Sequence, residues 1–172
     1  INYNNESFST YMKTVENDKL LDGNVANFRH KSKEGGLDTV AFGHKLTEEE
    51  NKNNMVYGYD LSEINSSTSP ERILEISNDI LRQDLEKAEK ILTKNYGNKF
   101  INLDLRRKQM LIDFQFNGGA GMVTLFKKFR TAVFAGDEKT MKKEYIRSFK
   151  AANGTRKTLA RNDFFKKYFL NK

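Results

Sequence analysis

Apolar residues recur with helical spacing near the start of the chain. Phe8, Tyr11, Met12 and Val15 follow the i, i+3, i+4, i+7 rule, as expected for one buried face of a short amphipathic helix. The pattern predicts a helix over residues 6–16. The stretch that follows it lacks any such period, and we expect it to be irregular.

The segment over residues 33–46 changes from helical to strand-like spacing. Val40 and Phe42 alternate with smaller residues, and Gly35-Gly36 supplies the residues of a turn. We therefore expect short strands here, joined as a small hairpin.

Helix signals return directly after the hairpin. Thr47 followed by Glu50 fits a capping box and predicts a short helix, after which the polar residues 51–68 are expected to form a loop. Ser69-Pro70-Glu71 combines a capping serine, a proline in the first turn and an acid that the helix dipole favours. A long apolar stripe follows, which predicts one helix over residues 69–97.

The C-terminal part is predicted to be helical. Its apolar stripes lie in residues 103–116, 122–134, 138–150 and 158–170. The expected core residues of the last two helices are Tyr145, Ile146, Phe149, Leu159, Phe164, Phe165 and Phe169. The predicted fold is α+β and forms a single domain: a hairpin lobe over 1–68, a connecting helix over 69–97 and a helical lobe over 98–172.

Charge is distributed unevenly along the chain of 172 residues. Residues 1–100 hold 13 Lys and Arg against 17 Asp and Glu, whereas residues 101–172 hold 17 against 6. The C-terminal part therefore carries a positive field that would attract bacterial cell wall, nucleic acid or anionic membrane. A solvated surface tuned for solubility explains the same charge equally well.

Several classes of site and location are excluded by composition. Cysteine is absent, so disulfides and thiolate metal sites are excluded. The chain has no apolar run of about 18 residues, so we expect no transmembrane segment, and no signal peptide is visible. His30, Glu34 and His44 lack the helical spacing of a metal site, and no metal is predicted.

Two carboxylates flank the predicted hairpin. Glu16 lies where a helix ends, and Glu34 precedes the glycine turn. A glycosidase needs such a pair, with one acid to protonate the leaving oxygen and one carboxylate to activate water or stabilise positive charge. Thr39 could orient that water through its hydroxyl. Asp38 is a rival for the second carboxylate, and most acids in such a chain are simply solvated.

Three other polar residues are candidates for a defined role. His44 lies between apolar Phe42 and Leu46, and Asp84 shares the inward face of the long helix. Because an unpaired buried aspartate is costly, we expect His44 and Asp84 to form a shielded ion pair. Asn117, at a predicted helix end, could bond a sugar acetamido group, although a polar helix terminus explains it nearly as well.

These residues carry a resemblance to a known family. The order of Glu16, Glu34-Gly-Gly-Leu-Asp-Thr39 and Gly43-His44 resembles the N-terminal part of the phage-type lysozymes, glycoside hydrolase family 24. Later segments in matching order extend the resemblance over nearly the whole chain. They are Leu81-Arg-Gln-Asp84, Met110-Leu-Ile-Asp-Phe-Gln-Phe-Asn117 and Leu159-Ala-Arg161-Asn-Asp-Phe-Phe.

The resemblance implies a lysozyme-like fold and a muramidase. Such an enzyme cleaves the β-1,4 bond between N-acetylmuramic acid and N-acetylglucosamine in peptidoglycan. Glu16 would be the general acid, Glu34 would stand where the family usually has aspartate, and Thr39 would match the threonine of the catalytic triad. No cofactor is implied.

The resemblance also implies roles outside the catalytic three. Asn117, Gly118 and Phe42 would line the sugar site, and His44 with Asp84 would form a structural ion pair. The implied partner is bacterial peptidoglycan, met by a monomer at the wall side of the bacterial membrane. The enzyme would come from the host cytoplasm at lysis or be carried in a phage particle.

Departures from the family pattern keep alternatives open. The segment between Glu16 and the hairpin is longer than usual, and Ala41 stands where glycine is common. With glutamate at position 34, both hydrolysis and transglycosylation to an anhydro-sugar are compatible with the sequence. A wall-binding protein without activity and a basic nucleic-acid-binding protein are the alternatives from other classes.

Overall fold

The computed structural model describes residues 6–32, 35–119, 125–150 and 153–171, which form an α+β structure. The chain divides into two compact units. The hairpin unit is Met12–Asp84, and the helical unit is Ile1–Tyr11 together with Leu85–Lys172. The boundaries between the units fall inside two helices, and the lobes over 1–68, 69–97 and 98–172 stay a prediction.

The first helix, α1, spans Glu6–Asn17 and agrees with the predicted periodicity. Phe8, Tyr11 and Met12 are buried, because they lie on the same face of the helix. Glu16 lies in the last turn of α1 and is half-buried.

A three-stranded antiparallel sheet follows in the hairpin unit. Its strands, in spatial order, are β1 (Arg29–His30), β2 (Thr39–Val40) and β3 (His44–Lys45). The central Val40 lies opposite Arg29 on one side and His44 on the other. The strand-like spacing predicts β2 and β3, but β1 lies in the stretch predicted to be irregular. A strand of two residues is too short to show alternation.

Helix α2 spans Glu48–Asn53 and begins with the predicted capping box. Thr47 Oγ1 accepts a hydrogen bond from the Glu50 amide at 3.1 Å, and Glu50 Oε1 accepts one from the Thr47 amide at 2.9 Å. These two bonds satisfy donors that the helix start would otherwise leave exposed.

The prediction of a continuous loop over residues 51–68 is wrong. Met55–Val56 (β4) pairs with Tyr59–Asp60 (β5) in an antiparallel hairpin. Its turn uses Tyr57 at φ 49° and Gly58 at φ 83°. A left-handed tyrosine is uncommon, and nothing in the local sequence marks it as a turn residue.

Helix α3 spans Pro70–Tyr96, as predicted from its start signal and apolar stripe. Ser69 Oγ accepts a hydrogen bond from the Arg72 amide at 3.1 Å, and Gly97 follows the helix with φ 54°. The hairpin unit contains α3 up to Asp84, and the helical unit contains the rest. None of the described helices, α3 included, is long and apolar enough to cross a membrane.

The helical unit continues with further helices in the part of the chain that the structure describes. They are α4 (Asn98–Ile101), α5 (Leu105–Gly118), α6 (Lys127–Ala135) and α7 (Glu138–Glu144). Gly119 and Gly136 follow α5 and α6 at positive φ, a conformation that commonly ends helices at glycine. Residues 122–124 of the helix predicted over 122–134 lie outside the described residues.

Aromatic rings form the centre of the helical unit. Phe114 stacks on Phe129 with ring centroids 4.4 Å apart, and Phe165 meets Phe114 edge-on at 5.5 Å. Such pairs stabilise a core beyond the area that they bury. A chain without tryptophan thus builds this core from phenylalanine.

The prediction of continuous helices over 138–150 and 158–170 is wrong in part. The segment between them forms a hairpin of β6 (Ser148–Lys150) and β7 (Arg156–Thr158), followed by α8 (Arg161–Phe165) and a π-helical turn over Lys166–Leu170. Of the expected core residues, Tyr145, Phe165 and Phe169 are buried and Leu159 is half-buried. Ile146 and Phe164 are instead about half exposed, at 49% and 47%; the Phe149 side chain is outside the description.

Candidate functional site

The side chain of Glu16 lies against the turn between β2 and β3. A methyl group on Gly43 would overlap the Glu16 Oε2 atom and would lie 2.8 Å from the carboxyl carbon. Gly43 also adopts φ 87°, which side chains disfavour. The backbone conformation therefore favours glycine at this position, and any side chain here would also have to displace the end of the Glu16 side chain.

The neighbouring Asn17 ties the end of α1 to the same turn. Its Nδ2 donates to the Asn27 carbonyl at 2.9 Å and to the Ala41 carbonyl at 3.0 Å. Glu16 is thereby carried by a helix end that is hydrogen-bonded to the hairpin. Sequence reasoning missed Asn17, because a polar residue after a helix is usually only a cap.

The hairpin itself holds an unusual residue at Ala41. Ala41 adopts φ 55° and is fully buried, and its amide donates to the Phe28 carbonyl at 2.9 Å. The resemblance places a glycine here, and glycine is the residue that favours this conformation. The alanine therefore keeps the geometry of the turn at some cost in backbone strain.

Thr39 lies on β2, in the same sheet as Gly43-His44. It is 7% exposed, and its backbone lies opposite His30 and Lys45. Glu34 lies outside the described residues, so its distance from Glu16 stays a prediction.

Phe42 does not occupy the position expected of a substrate contact. Its side chain is 1% exposed, so the ring belongs to the core and offers almost no surface to a sugar. The Lys13 ammonium lies 6.0 Å from the ring centroid. Phe42 lies in the turn between β2 and β3, and the physical reason for its position is that burying a large apolar side chain is more favourable than leaving it in water.

His44 and Asp84 pair as the sequence leads us to expect. His44 Nδ1 lies 2.8 Å from Asp84 Oδ2, and the two side chains are 9% and 12% exposed. Sequence reasoning missed two further partners. His44 Nε2 lies 2.9 Å from Glu50 Oε1, and the Tyr57 hydroxyl donates to Asp84 Oδ1 at 2.5 Å.

This network favours the charged form of the histidine. Burial alone would lower the pKa of His44, but the hydrogen bonds and charges of Asp84 and Glu50 outweigh burial and raise the pKa. Both ring nitrogens face carboxylates, so the geometry favours the imidazolium form, in which each nitrogen donates a proton. Burial would raise the pKa of Glu50, whereas its bonds to Thr47 and His44 lower it.

We expect Asp84→Asn to lower the free energy of unfolding by about 3 kcal/mol, because the shielded imidazolium keeps only one of its two carboxylate partners. Urea denaturation at pH 6 measures the change. Glu75→Gln is the matched control, since Glu75 forms an exposed pair with Arg72 on the same helix and should change stability by less than about 1 kcal/mol. Equal effects of the two variants would contradict the prediction.

The pH dependence of stability follows from the directions of the two pKa shifts. The contribution of His44 to the free energy of unfolding is present below its unfolded pKa of about 6.5, and it is lost as pH rises through the raised pKa of the folded state. The share due to Glu50 is present above its unfolded value of 4.5 and is lost as pH falls through the lowered folded value. We therefore expect the cost of Asp84→Asn to fall as pH rises through the raised pKa of His44, and a loss that is flat with pH would contradict this assignment.

Asn117 and Gly118 belong to the helical unit, at the end of α5. Gly118 is exposed and Asn117 is half-buried. Asn117 Oδ1 accepts a hydrogen bond from Arg147 Nη1 at 3.3 Å. A sugar contact at either residue stays a prediction, and Asn117 has at least one structural partner.

Arg147 belongs to a buried charge cluster that the sequence analysis did not predict. Arg147 Nη2 donates to Asp113 Oδ2 at 3.0 Å, Arg161 Nη2 donates to Asp113 Oδ1, and the Tyr11 hydroxyl donates to Asp113 Oδ2 at 2.6 Å. The Arg147 guanidinium also lies 3.9 Å from the centroid of Phe114. Asp113 and Arg147 are fully buried and Arg161 is 7% exposed.

The electrostatics of this cluster are set by two guanidinium groups around one carboxylate. Burial would raise the pKa of Asp113, but Arg147 and Arg161 outweigh burial and lower the pKa. Burial and the charge of Asp113 raise the pKa of Tyr11 well above its usual value. The cluster is therefore a structural ion cluster with a net positive charge.

The described residues contain no group of three or more His, Cys, Asp and Glu that could hold a metal ion. No family model, curated protein or solved structure matches this chain. The resemblance to the phage-type lysozymes therefore rests on the residues quoted above.

Proposed function

We propose that this protein is a muramidase of the lysozyme type, which cleaves the β-1,4 bond between N-acetylmuramic acid and N-acetylglucosamine in peptidoglycan. The observation that carries the proposal is the contact of the Glu16 carboxyl group with the glycine turn of a small sheet. A general acid must be held at a fixed place beside backbone that a bulky substrate can approach. The order of residues in the lysozyme family supports the same assignment.

The proposed mechanism uses three residues of the hairpin unit. The Glu16 carboxyl group gives its proton to the glycosidic oxygen as the bond from that oxygen to the muramic acid C1 breaks. The Glu34 carboxylate takes a proton from a water molecule that attacks C1, and the Thr39 hydroxyl orients the water. The products are a new reducing end on the muramic acid and a free hydroxyl on the glucosamine.

The exposed lysines of the helical unit support association with an anionic wall. Lys127 and Lys128 begin α6, and Lys142 and Lys143 lie in the last turn of α7, all of them exposed. Charges of this kind act over about a Debye length, roughly 8 Å at physiological ionic strength, and strengthen attraction to a polyanion.

Replacing these four lysines with glutamine should weaken association with insoluble cell walls and make it less sensitive to salt. Cleavage of short soluble oligosaccharides should change little, because the lysines are assigned to attraction and not to chemistry. Sedimentation of walls at several salt concentrations and an oligosaccharide assay measure the two effects. Equal losses in both assays would show that these lysines belong to the site of cleavage.

The proposed activity is tested by mass spectrometry of purified peptidoglycan digested with the full chain. Reducing muramic acid ends are the expected product. Anhydro-muramic acid ends would show a lytic transglycosylase, in which the muramic acid 6-hydroxyl replaces water. Released peptides would show an amidase or peptidase. An undigested wall would show a protein without this catalytic activity. Either result would overturn the proposal.

A further inference from the structure

We propose that a pocket in the helical unit binds the phosphate groups of a polyol-phosphate polymer. The pocket has a volume of about 360 Å³. It is lined by Tyr96, Lys99, Arg130, Thr131, Phe134 and Ala135, which come from the end of α3, from α4 and from α6. The inference is independent of the proposed cleavage, because none of these residues is assigned to it.

The pocket is built from two cations held by two aromatic rings. The rings of Tyr96 and Phe134 have centroids 5.1 Å apart and an interplanar angle of 52°. The Arg130 guanidinium carbon lies 5.5 Å from the Tyr96 centroid, and its Nη1 donates to the Tyr96 hydroxyl at 3.1 Å. The Lys99 ammonium lies 5.2 Å from the Phe134 centroid.

The two positive charges have no acidic counterpart in the pocket. Its described lining contains no Asp or Glu, and neither Lys99 nor Arg130 takes part in a salt bridge within the described ranges. Aromatic faces position a cation but neutralise little of its charge. A concave site with two such cations therefore favours an anion.

Phosphate fits the donors of this pocket. A guanidinium group binds phosphate oxygens through paired N–H donors, and an ammonium group adds a strong point charge. The hydroxyl of Thr131 is a further donor on the same surface. The volume lies near the lower end of the range for small-ligand sites, which suits one phosphate with its attached polyol unit.

A repeating phosphate chain fits better than a nucleic acid. Exposed Lys127 and Lys128 lie on the same helix as Arg130, so positive charge continues beyond the pocket. Single-stranded nucleic acids bind by stacking bases on open aromatic faces. Here one face of Tyr96 and one face of Phe134 are taken by cations, and the rings are tilted, so they form no stacking platform.

The test measures binding of the full chain to four probes by isothermal titration calorimetry. The probes are a short synthetic poly(glycerol phosphate), glycerol 3-phosphate, inorganic phosphate and a single-stranded oligodeoxynucleotide. We expect the polymer to bind most tightly. Arg130→Gln and Lys99→Gln should each weaken its binding about tenfold, as expected for loss of a charged hydrogen bond.

Two further variants separate a built site from general charge. Lys166→Gln removes one exposed positive charge outside the pocket, on a residue with no assigned role in wall binding, and should change affinity less than about threefold. Tyr96→Phe keeps the ring and every charge but removes the hydroxyl that holds Arg130, and it should weaken binding severalfold. Thermal unfolding checks that each variant is folded. Lys99 is exposed, so Lys99→Gln should fold normally and still tests the pocket if Arg130→Gln does not fold.

Each remaining outcome overturns the inference. Equal losses for Lys166→Gln and Arg130→Gln would show unspecific charge attraction. Tighter binding of the oligodeoxynucleotide, lost in Arg130→Gln, would assign the pocket to nucleic acid. Equal affinity for inorganic phosphate and the polymer would assign it to free phosphate. Cleavage of phosphate-free peptidoglycan by these variants reports on the proposed muramidase separately.

Discussion

Glu16→Gln should lower the rate of glycosidic cleavage by at least about 10²–10⁴-fold. Glutamine has nearly the shape of glutamate but carries no acidic proton, so the leaving oxygen would depart as an alkoxide. The loss corresponds to roughly 3–5 kcal/mol in the activation barrier. Because the contact with Gly43 is a matter of shape, the variant should fold, and its melting temperature should be unchanged or higher.

The rate is measured on purified peptidoglycan by the appearance of reducing ends. Glu49→Gln is the matched control, because Glu49 is an exposed acid on α2 of the same unit, and it should retain full activity. Glu34→Gln and Thr39→Ala should also reduce the rate, through loss of water activation and water positioning. If Glu16→Gln stays active while Glu34→Gln is inactive, the general acid is Glu34 and the assignment of Glu16 fails.

Asp113→Asn should lower the free energy of unfolding by about 3–5 kcal/mol, the largest loss of stability that we expect from one charge-removing change. It would remove the buried carboxylate that the guanidinium groups of Arg147 and Arg161 share. A domain of this size has a total stability of roughly 5–15 kcal/mol. The variant is therefore expected to be marginally folded at 37 °C.

Urea denaturation measures this loss, and Asp163→Asn is the control. Asp163 lies on α8 beside the cluster in sequence but is exposed, so its change should be within about 0.5 kcal/mol. Because the pKa of Asp113 is lowered, its share of stability is present above its unfolded value of 3.8 and is lost as pH falls through its folded value. A small loss for Asp113→Asn, close to that of the control, would contradict the structural role of the cluster.

The sequence predicts those parts of the fold that depend on local patterns. The periodicity of α1, the capping box of Thr47 with Glu50 and the start of α3 at Ser69-Pro70 are each determined within a few residues. The strands β1 and β4 to β7 escape prediction. β1 is defined by its pairing with β2 rather than by a pattern of its own, and β4 and β5 flank a turn at Tyr57, which the local sequence does not mark as a turn residue.

Some residues of the candidate site can likewise be predicted from local sequence, and others cannot. Glu16, His44 and Asp84 can be named from their place at a helix end or on a buried face. The burial of Arg147 and Arg161 cannot be predicted from the sequence, because arginine is usually exposed. Their partner Asp113 is also distant in sequence, 34 residues from Arg147 and 48 residues from Arg161. The contact of Glu16 with Gly43 is also non-local, since it joins a helix end to a turn in three dimensions.

Gly43 and Gly35, two turn glycines of the hairpin unit, should differ in how well they tolerate substitution. Gly35 shares its positive φ, but no atom lies within 4 Å of a methyl group placed on Gly35. An alanine at Gly35 would meet only backbone strain, about 1 kcal/mol or so, and a combinatorial library should accept it. An alanine at Gly43 would in addition displace the Glu16 carboxyl group. Selection for folding alone should therefore readily recover substitutions at Gly35, whereas selection for activity should leave position 43 invariant.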